Sequence, residues 1–281
     1  PSEKYLFIDA SVIAAKDLTE KILSLEEGTA LADENGLIAG CLQYDESITS
    51  QNLLSKFETV YDTKHIKRIE YPWQIFQWND EMIRSDFLII TKNKTSQKIS
   101  LTNKIISSEN IFIEEGATVE HALLNAATGP IVIRKNAMVM EGCCIRGPFV
   151  LGENSVLKMG TKIYGATTFG NNCIGGGEIK NSVLQSFSNK AHDGYLGDSV
   201  LGSWCNLGAG TSNSNIKNTA TDVLLYDFFL NEKIHTHKKC SVLMSNSSRT
   251  AINSCIDTGS VNGICCNVFG DALSQNDIPD C

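Results

Sequence analysis

Between residues 180 and 215 the chain sets out Lys180, His192, Tyr195, Asn206 and Asn215, side chains that together could move a proton and hold a small anionic substrate. Histidine titrates near neutral pH, so His192 suits a base that removes the proton from an amine. A protonated sugar amine is a poor nucleophile until that proton is gone. Lysine offers a cation, while asparagine amides hold a substrate and stabilise an oxyanion. The set suits group transfer to an amine.

Such residues need a scaffold, and the sequence supplies a repeat. Ile133, Val139, Ile145, Leu151, Leu157, Ile163 and Phe169 stand six apart, and two residues before each stand Ile131, Ala137, Cys143, Phe149, Ser155, Thr161 and Thr167, mostly small. Residues six apart lie on nearly opposite sides of an α-helix, so the spacing excludes one. A two-residue separation puts both members on one face of a short strand, with the other four residues covering the outside and turning a corner. Three such sides make a coil, and stacked coils make a parallel β-helix. Cys143, Cys173 and Cys205 fall in the small inward slot.

The register shifts between Phe169 and Leu201, as when a loop leaves a corner or a coil is irregular, and resumes at Leu201 and Leu207. Ile252, Thr258 and Ile264 give a weaker continuation. An excursion near 216–240 holds His235 and His237, read as solvent or interface residues rather than metal ligands. In the resumed register His192 points outward, and Lys180 and Asn206 each precede an inward slot by one residue. Tyr195 falls in an inward slot, so packing and substrate contact both stand. "LGAGT" at 207–211 lacks the Gly-Lys-Ser/Thr of a P-loop, and its glycines suit tight corners.

The first 105 residues look mixed α/β. "YLFI" reads as a strand and "DLTEKILSL" as a helix opening at an acidic cap. A hairpin is expected across Asn35-Gly36, then a strand at "IKRIE" and Pro72 at the start of a helix. Trp73, Phe76 and Trp78 read as core or domain contacts, and "NKTSQKISLTNK" as a linker.

With 24 Lys+Arg against 32 Asp+Glu the net charge is −8, without a dense basic run, so small molecules are expected as partners and nucleic acid is not. The apolar runs are too short to span a bilayer and no signal-peptide pattern opens the chain, so a soluble, cytoplasmic protein is expected. Ten cysteines without zinc-type spacing read as buried free thiols. The chain opens at Pro1, and an upstream segment is expected to be missing.

Residues 178–215, "EIKNSVLQSFSNKAHDGYLGDSVLGSWCNLGAGTSNSN", resemble without a gap the pattern E-x-K, eleven residues, H-x-x-Y-L-G-D, N-[IL]-G-A-G-T, Asn. That pattern marks the left-handed hexapeptide-repeat transferases, above all the acetyltransferase half of bifunctional enzymes that make UDP-N-acetylglucosamine from glucosamine 1-phosphate. "YPWQIFQWNDEMIRSDF", "ENIFIEEGA", "NAATGPIVI" and "SNKAHDGYLGD" resemble sugar nucleotidyltransferase-like proteins found largely in Bacteroidetes. The resemblance implies a mainly β chain, with a partial α/β nucleotidyltransferase-like lobe and linker over 1–105 and a left-handed parallel β-helix over 106–281. The left hand comes from the resemblance alone.

The resemblance further implies His192 as general base, with Lys180 and Tyr195 on the sugar phosphate and Asn206 and Asn215 near the amino group, Asn215 being grouped with His192 as catalytic. Ala209 is implied to lie by the path of acetyl-CoA, the co-substrate. Lys162 stands where the family usually has a phosphate-binding arginine and keeps the charge without the bidentate fork. Ile216 stands where a tyrosine usually follows the last asparagine. A homotrimer with sites between neighbouring prisms is implied. The expected function is acetyl- or acyl transfer to an amino-sugar phosphate in nucleotide-sugar biosynthesis. The alternative is a sugar-1-phosphate nucleotidyltransferase, for which Mg2+ is expected, with the β-helix serving oligomerisation or regulation. The glycine-rich nucleotide loop of such enzymes is not present in these residues. A purely structural trimerisation scaffold is the third reading.

Overall fold

The computed structural model describes residues 4–13, 15–43, 45–63, 66–270 and 273–281. It forms two compact units, Pro1–Tyr71 and Pro72–Cys281.

In the first unit, strands β1 (Lys4–Ile8), β2 (Thr29–Asp33), β3 (Gly36–Gln43) and β4 (Thr59–Asp62) form one sheet in the order β1-β3-β2-β4. The expected hairpin joins β2 to β3, with Gly36 at φ 113, a conformation open to glycine. Helix α1 (Lys16–Leu23) buries Leu18 and Ile22 with Leu31, Ile38 and Ala39. Its N-cap is Ala15, and Asp17 lies inside the first turn, where a carboxylate still favours the helix dipole. "IKRIE" makes only an isolated bridge, Arg68 to Val12, instead of the expected strand. The guanidinium of Arg68 turns instead to the buried Asp33, with Nη1 2.5 Å from Oδ2.

The second unit opens with helices α2 (Gln74–Gln77) and α3 (Asn79–Thr91), with Trp73 and Phe76 buried and Trp78 half-buried. Asn79 is buried too, donating to the carbonyl of Ala166 at 2.9 Å and accepting from the Thr168 hydroxyl at 2.9 Å. In "NKTSQKISLTNK" the amide of Gln97 already bonds the carbonyl of Ile113 at 2.7 Å.

From residue 104 onward the chain winds a parallel β-solenoid of about ten turns. Its first face carries Lys104–Ile106, Leu123–Asn125, Cys144–Arg146, Lys162–Tyr164, Glu178–Lys180 and Tyr195–Gly197. The second face stacks nine strands from Ile111–Ile113 to Asp277–Ile278. The third runs from Thr118–Val119 to Asn189–Lys190 and continues through a bridge at Asn206 to Arg249–Thr250 and Asn267–Val268. Both inward members of every hexad from Ile131 to Phe169 are buried, and the branched ones stack through parallel pairs such as Val139 on Val119 and on Leu157. Burying each such aliphatic side chain contributes about 1.5–3 kcal/mol.

Of the two expected origins of the register shift, the irregular coil is the one found. Ile163 pairs with Ile179, Phe169 with Leu184 and Gly175 with Lys190, so each coil here is a few residues shorter than the eighteen of the earlier hexads. Tight corners take up the loss, first at Gly176-Gly177 with Gly177 at φ 73, then at Asn181 with φ 46 and in the next coil at Asp198 with φ 48. The inward slots are therefore Ile179, Leu184, Lys190, Leu196 and Leu201. Tyr195 is not among them.

Beyond the excursion the expected register is also displaced. Ile252 and Ile264 are exposed, and the buried positions six apart are Thr250, Ile256, Asn262 and Val268, each preceded by Ser248, Ser254, Ser260 or Cys266. Polar residues hold two of these inward slots, which hid them from an apolar count. The excursion contains an antiparallel hairpin, Leu224–Asp227 with Glu232–His235, and closes where the Cys240 amide bonds the Asn215 carbonyl. All ten cysteines are free, but Cys144, Cys255, Cys265 and Cys281 are exposed rather than buried. Among the described residues no helix is long and apolar enough to cross a membrane.

Candidate functional site

The first face of the solenoid carries the candidate substrate residues in two outward columns. Lys162, Glu178 and Tyr195 are register partners on successive coils, and beside them run Tyr164, Lys180 and Gly197. Ile163, Ile179 and Leu196 between the columns point inward and are buried. Alternation along each strand thus turns Lys162, Lys180 and Tyr195 to the same side.

Tyr195 lies half-buried across its own strand. A Cβ on Gly197 would sit 2.1 Å from the Tyr195 hydroxyl, so glycine at 197 makes room for the ring. The hydroxyl meets Nδ2 of Asn215 at 3.0 Å. The same amide donates to Oδ2 of Asp198 at 2.5 Å, and Asn181 Nδ2 donates to Oδ1 at 2.7 Å. A buried carboxylate with two amide donors is a rigid anchor, because each lost contact leaves a buried polar group unpaired. Burial, then the carboxylate of Asp198, pushes the Tyr195 phenol well above its ordinary value. The ring therefore stays neutral and keeps a proton to donate.

Tyr164 donates to Glu178 Oε1 at 2.5 Å, and that bond, followed by burial, pushes its phenol up to about 12. Among the described residues Lys162 and Lys180 have no ion-pair partner, so their charges stay available to an anion. Lys162 also borders a cleft of about 450 Å3 with Asn125, Cys144, Arg146 and Tyr164.

His192 stands on the corner between the third face and the first, exposed as expected. It lines a cleft of about 320 Å3 with Met140, Lys158, Met159, Gly177 and Asp193. Asn206 is exposed on the third face, one coil above Asn189. Ala209 lies in the corner above His192, where the Gly210 amide bonds the Asp193 carbonyl at 3.1 Å. Within one chain, then, Lys162, Lys180, Tyr195 and Asn215 share the first face, while Asn206 and Ala209 lie beyond the corner that holds His192. His235 and His237 are exposed on the excursion.

The glycine run 175–177 shapes the His192 corner. A Cβ on Gly176 would meet the Ala191 carbonyl oxygen at 2.4 Å, and one on Gly177 the His192 oxygen at 2.9 Å. The sequence reading assigned no role to this run, nor to Asp198, Glu178 or Tyr164. Asp198 and Glu178 did stand inside the quoted motif.

Residues 1–95 match the sequence model of a family described as sugar nucleotidyl transferase. Over 101 residues the chain is 28% identical to the bifunctional protein GlmU of Methanococcus aeolicus, a match covering 36% of this chain and 24% of that protein. Both agree with the transferase family that the sequence resembles. The chain spans about a quarter of the length of the curated relative it matches. A crystal structure of UDP-N-acetylglucosamine acyltransferase superposes with a TM-score of 0.29 at 12% identity, over 62% of this chain and 71% of that one, too loosely to argue from.

Proposed function

We propose that the solenoid is an acetyl-CoA-dependent N-acyltransferase for an amino-sugar phosphate such as glucosamine 1-phosphate. The observation that carries this reading is the shared face: two lysines without an ion pair among the described residues, and the Tyr195–Asn215–Asp198 chain, on one side of the corner that exposes His192. Lys162 and Lys180 attract the phosphate as point charges. Tyr195 donates its phenolic proton to the sugar, and Asn215, fixed by Asp198, orients the amino group. The neutral amine nitrogen forms a bond to the thioester carbonyl carbon, and His192 takes the proton that this nitrogen sheds as the bond forms. As the carbon–sulfur bond breaks, the imidazolium returns that proton to the departing CoA thiolate. Acetyl-CoA enters past Ala209, and a homotrimer brings the faces of neighbouring prisms together around the substrate.

The test is the KM for glucosamine 1-phosphate in the Lys162→Met and Lys180→Met variants. Loss of one phosphate contact is expected to raise KM by roughly tenfold or more, with little change in the KM for acetyl-CoA. Equal effects on both substrates would contradict the assignment.

The match of residues 1–95 to a sugar nucleotidyl transferase family favours a second reading, a sugar-1-phosphate nucleotidyltransferase whose solenoid serves assembly. Formation of a nucleotide sugar and pyrophosphate from a nucleoside triphosphate, with no acyl transfer, would establish it.

A further inference from the structure

Lys190 occupies a place in the fold where a lysine is costly. It is an inward residue of the third face, in a column with Val119, Val139, Leu157 and Gly175, and is only 1% exposed. Gly175, its partner on the coil below, is glycine because a Cβ there would press on Phe169 and Leu157 at under 3 Å. The alkyl stem of Lys190 thus fills core volume that methionine would fill without desolvating a charge. Among the described residues no carboxylate pairs with its ammonium. Burial draws its pKa down to about 8, offset in part by Asp193.

What methionine could not do is donate. Nζ of Lys190 bonds the backbone carbonyl of His192 at 2.6 Å and meets the carbonyl of Gly176 at 3.4 Å. One ammonium, reached from inside the prism, therefore ties the exposed turn 191–194 to the coil beneath it. His192 itself has no side-chain hydrogen bond among the described residues, so its backbone is what the fold holds.

We infer that Lys190 is a positioning residue for His192, a tether from the solenoid core that fixes the turn carrying the base. This rests on the reading of His192 as general base.

The test uses the full chain and the Lys190→Met variant. Amide hydrogen exchange at Glu178 and Gly210, which donate to the Gly194 and Asp193 carbonyls of the turn, is expected to rise by about tenfold or more, while the hexad strands 131–169 keep their protection. Turnover of acetyl-CoA with glucosamine 1-phosphate is expected to fall about 10- to 100-fold in kcat with both KM values nearly unchanged. Melting temperature is expected to hold or rise, since a buried charge is gone. Lys190→Ala, which lacks three carbons and the amine, is expected to regain protection of the turn with n-propylamine. Unchanged exchange at Glu178 and Gly210, or unchanged kcat in an active enzyme, overturns the inference.

Should neither variant fold, the wild type still decides. Labelled-lysine NMR must show one ammonium protected from solvent and close to the His192 backbone, and its absence refutes the tether. If the wild type transfers no acyl group, the functional reading falls, while the exchange result still judges Lys190.

Discussion

Asn215 holds its side-chain amide nitrogen 2.5 Å from Oδ2 of Asp198 and 3.0 Å from the hydroxyl of Tyr195, although it comes from the coil after the one that carries those two residues. One carboxylate thereby orients an amide, and through it a phenol, on the face that carries Lys162 and Lys180.

Replacing Asp198 by Asn should uncouple that chain. The new amide cannot accept from both Asn181 and Asn215 as the carboxylate does, and the site is buried. A loss of about 1–3 kcal/mol is expected in urea denaturation, together with a fall in acyl transfer. Unchanged stability would show that the carboxylate is not the anchor.

Tyr195→Phe keeps the ring over Gly197 and removes only the hydroxyl. The expected loss is about 0.5–1.5 kcal/mol of substrate binding, seen as a rise of roughly three- to tenfold in KM for the amino-sugar phosphate. A KM equal to wild type would return Tyr195 to a packing role.

Gly177→Ala puts a methyl group at φ +73 against the carbonyls of Gly194 and His192, at 2.7 and 2.9 Å. The backbone strain alone amounts to about 1–3 kcal/mol. Acyl transfer should fall more than in Gly160→Ala, a corner glycine at φ +70 with nothing within 4 Å of its would-be Cβ.

Acid should weaken the first unit through Asp33. The hydrogen bond from Arg68 is the leading cause that brings its carboxyl from 3.8 to about 2. Above the unfolded value both states are ionised and the stabilisation is complete. As pH falls from about 3.8 toward 2 the unfolded chain takes up the proton first, and the stabilisation is lost. Urea denaturation between pH 5 and 2 should show a loss in the wild type that Asp33→Asn lacks. Parallel curves would contradict the ion pair's role.

The solenoid was legible where an apolar residue stands at every sixth position, from Ile133 to Phe169. It blurred where the inward slots hold Gly175, Lys190, Thr250 and Asn262, because a count of hydrophobic residues passes over them. Tight corners at Asn181 and Asp198 shorten the coils, so a fixed step of six carried Tyr195 inward while the fold buries Leu196. The strict register already turns Lys162 outward, whereas the place of Lys180 beside it on the first face depends on the short corner at Gly176-Gly177. The tether from Lys190 to a backbone carbonyl has no sequence signature beyond a lysine in an inward slot.

The most direct measurement is mass-spectrometric detection of product from acetyl-CoA and glucosamine 1-phosphate, with the wild type beside His192→Ala. The account predicts N-acetylated sugar phosphate from the wild type and a loss of at least about 100-fold in the variant. Equal product from both would contradict His192 as the base, and none from either would contradict acyl transfer to this amine.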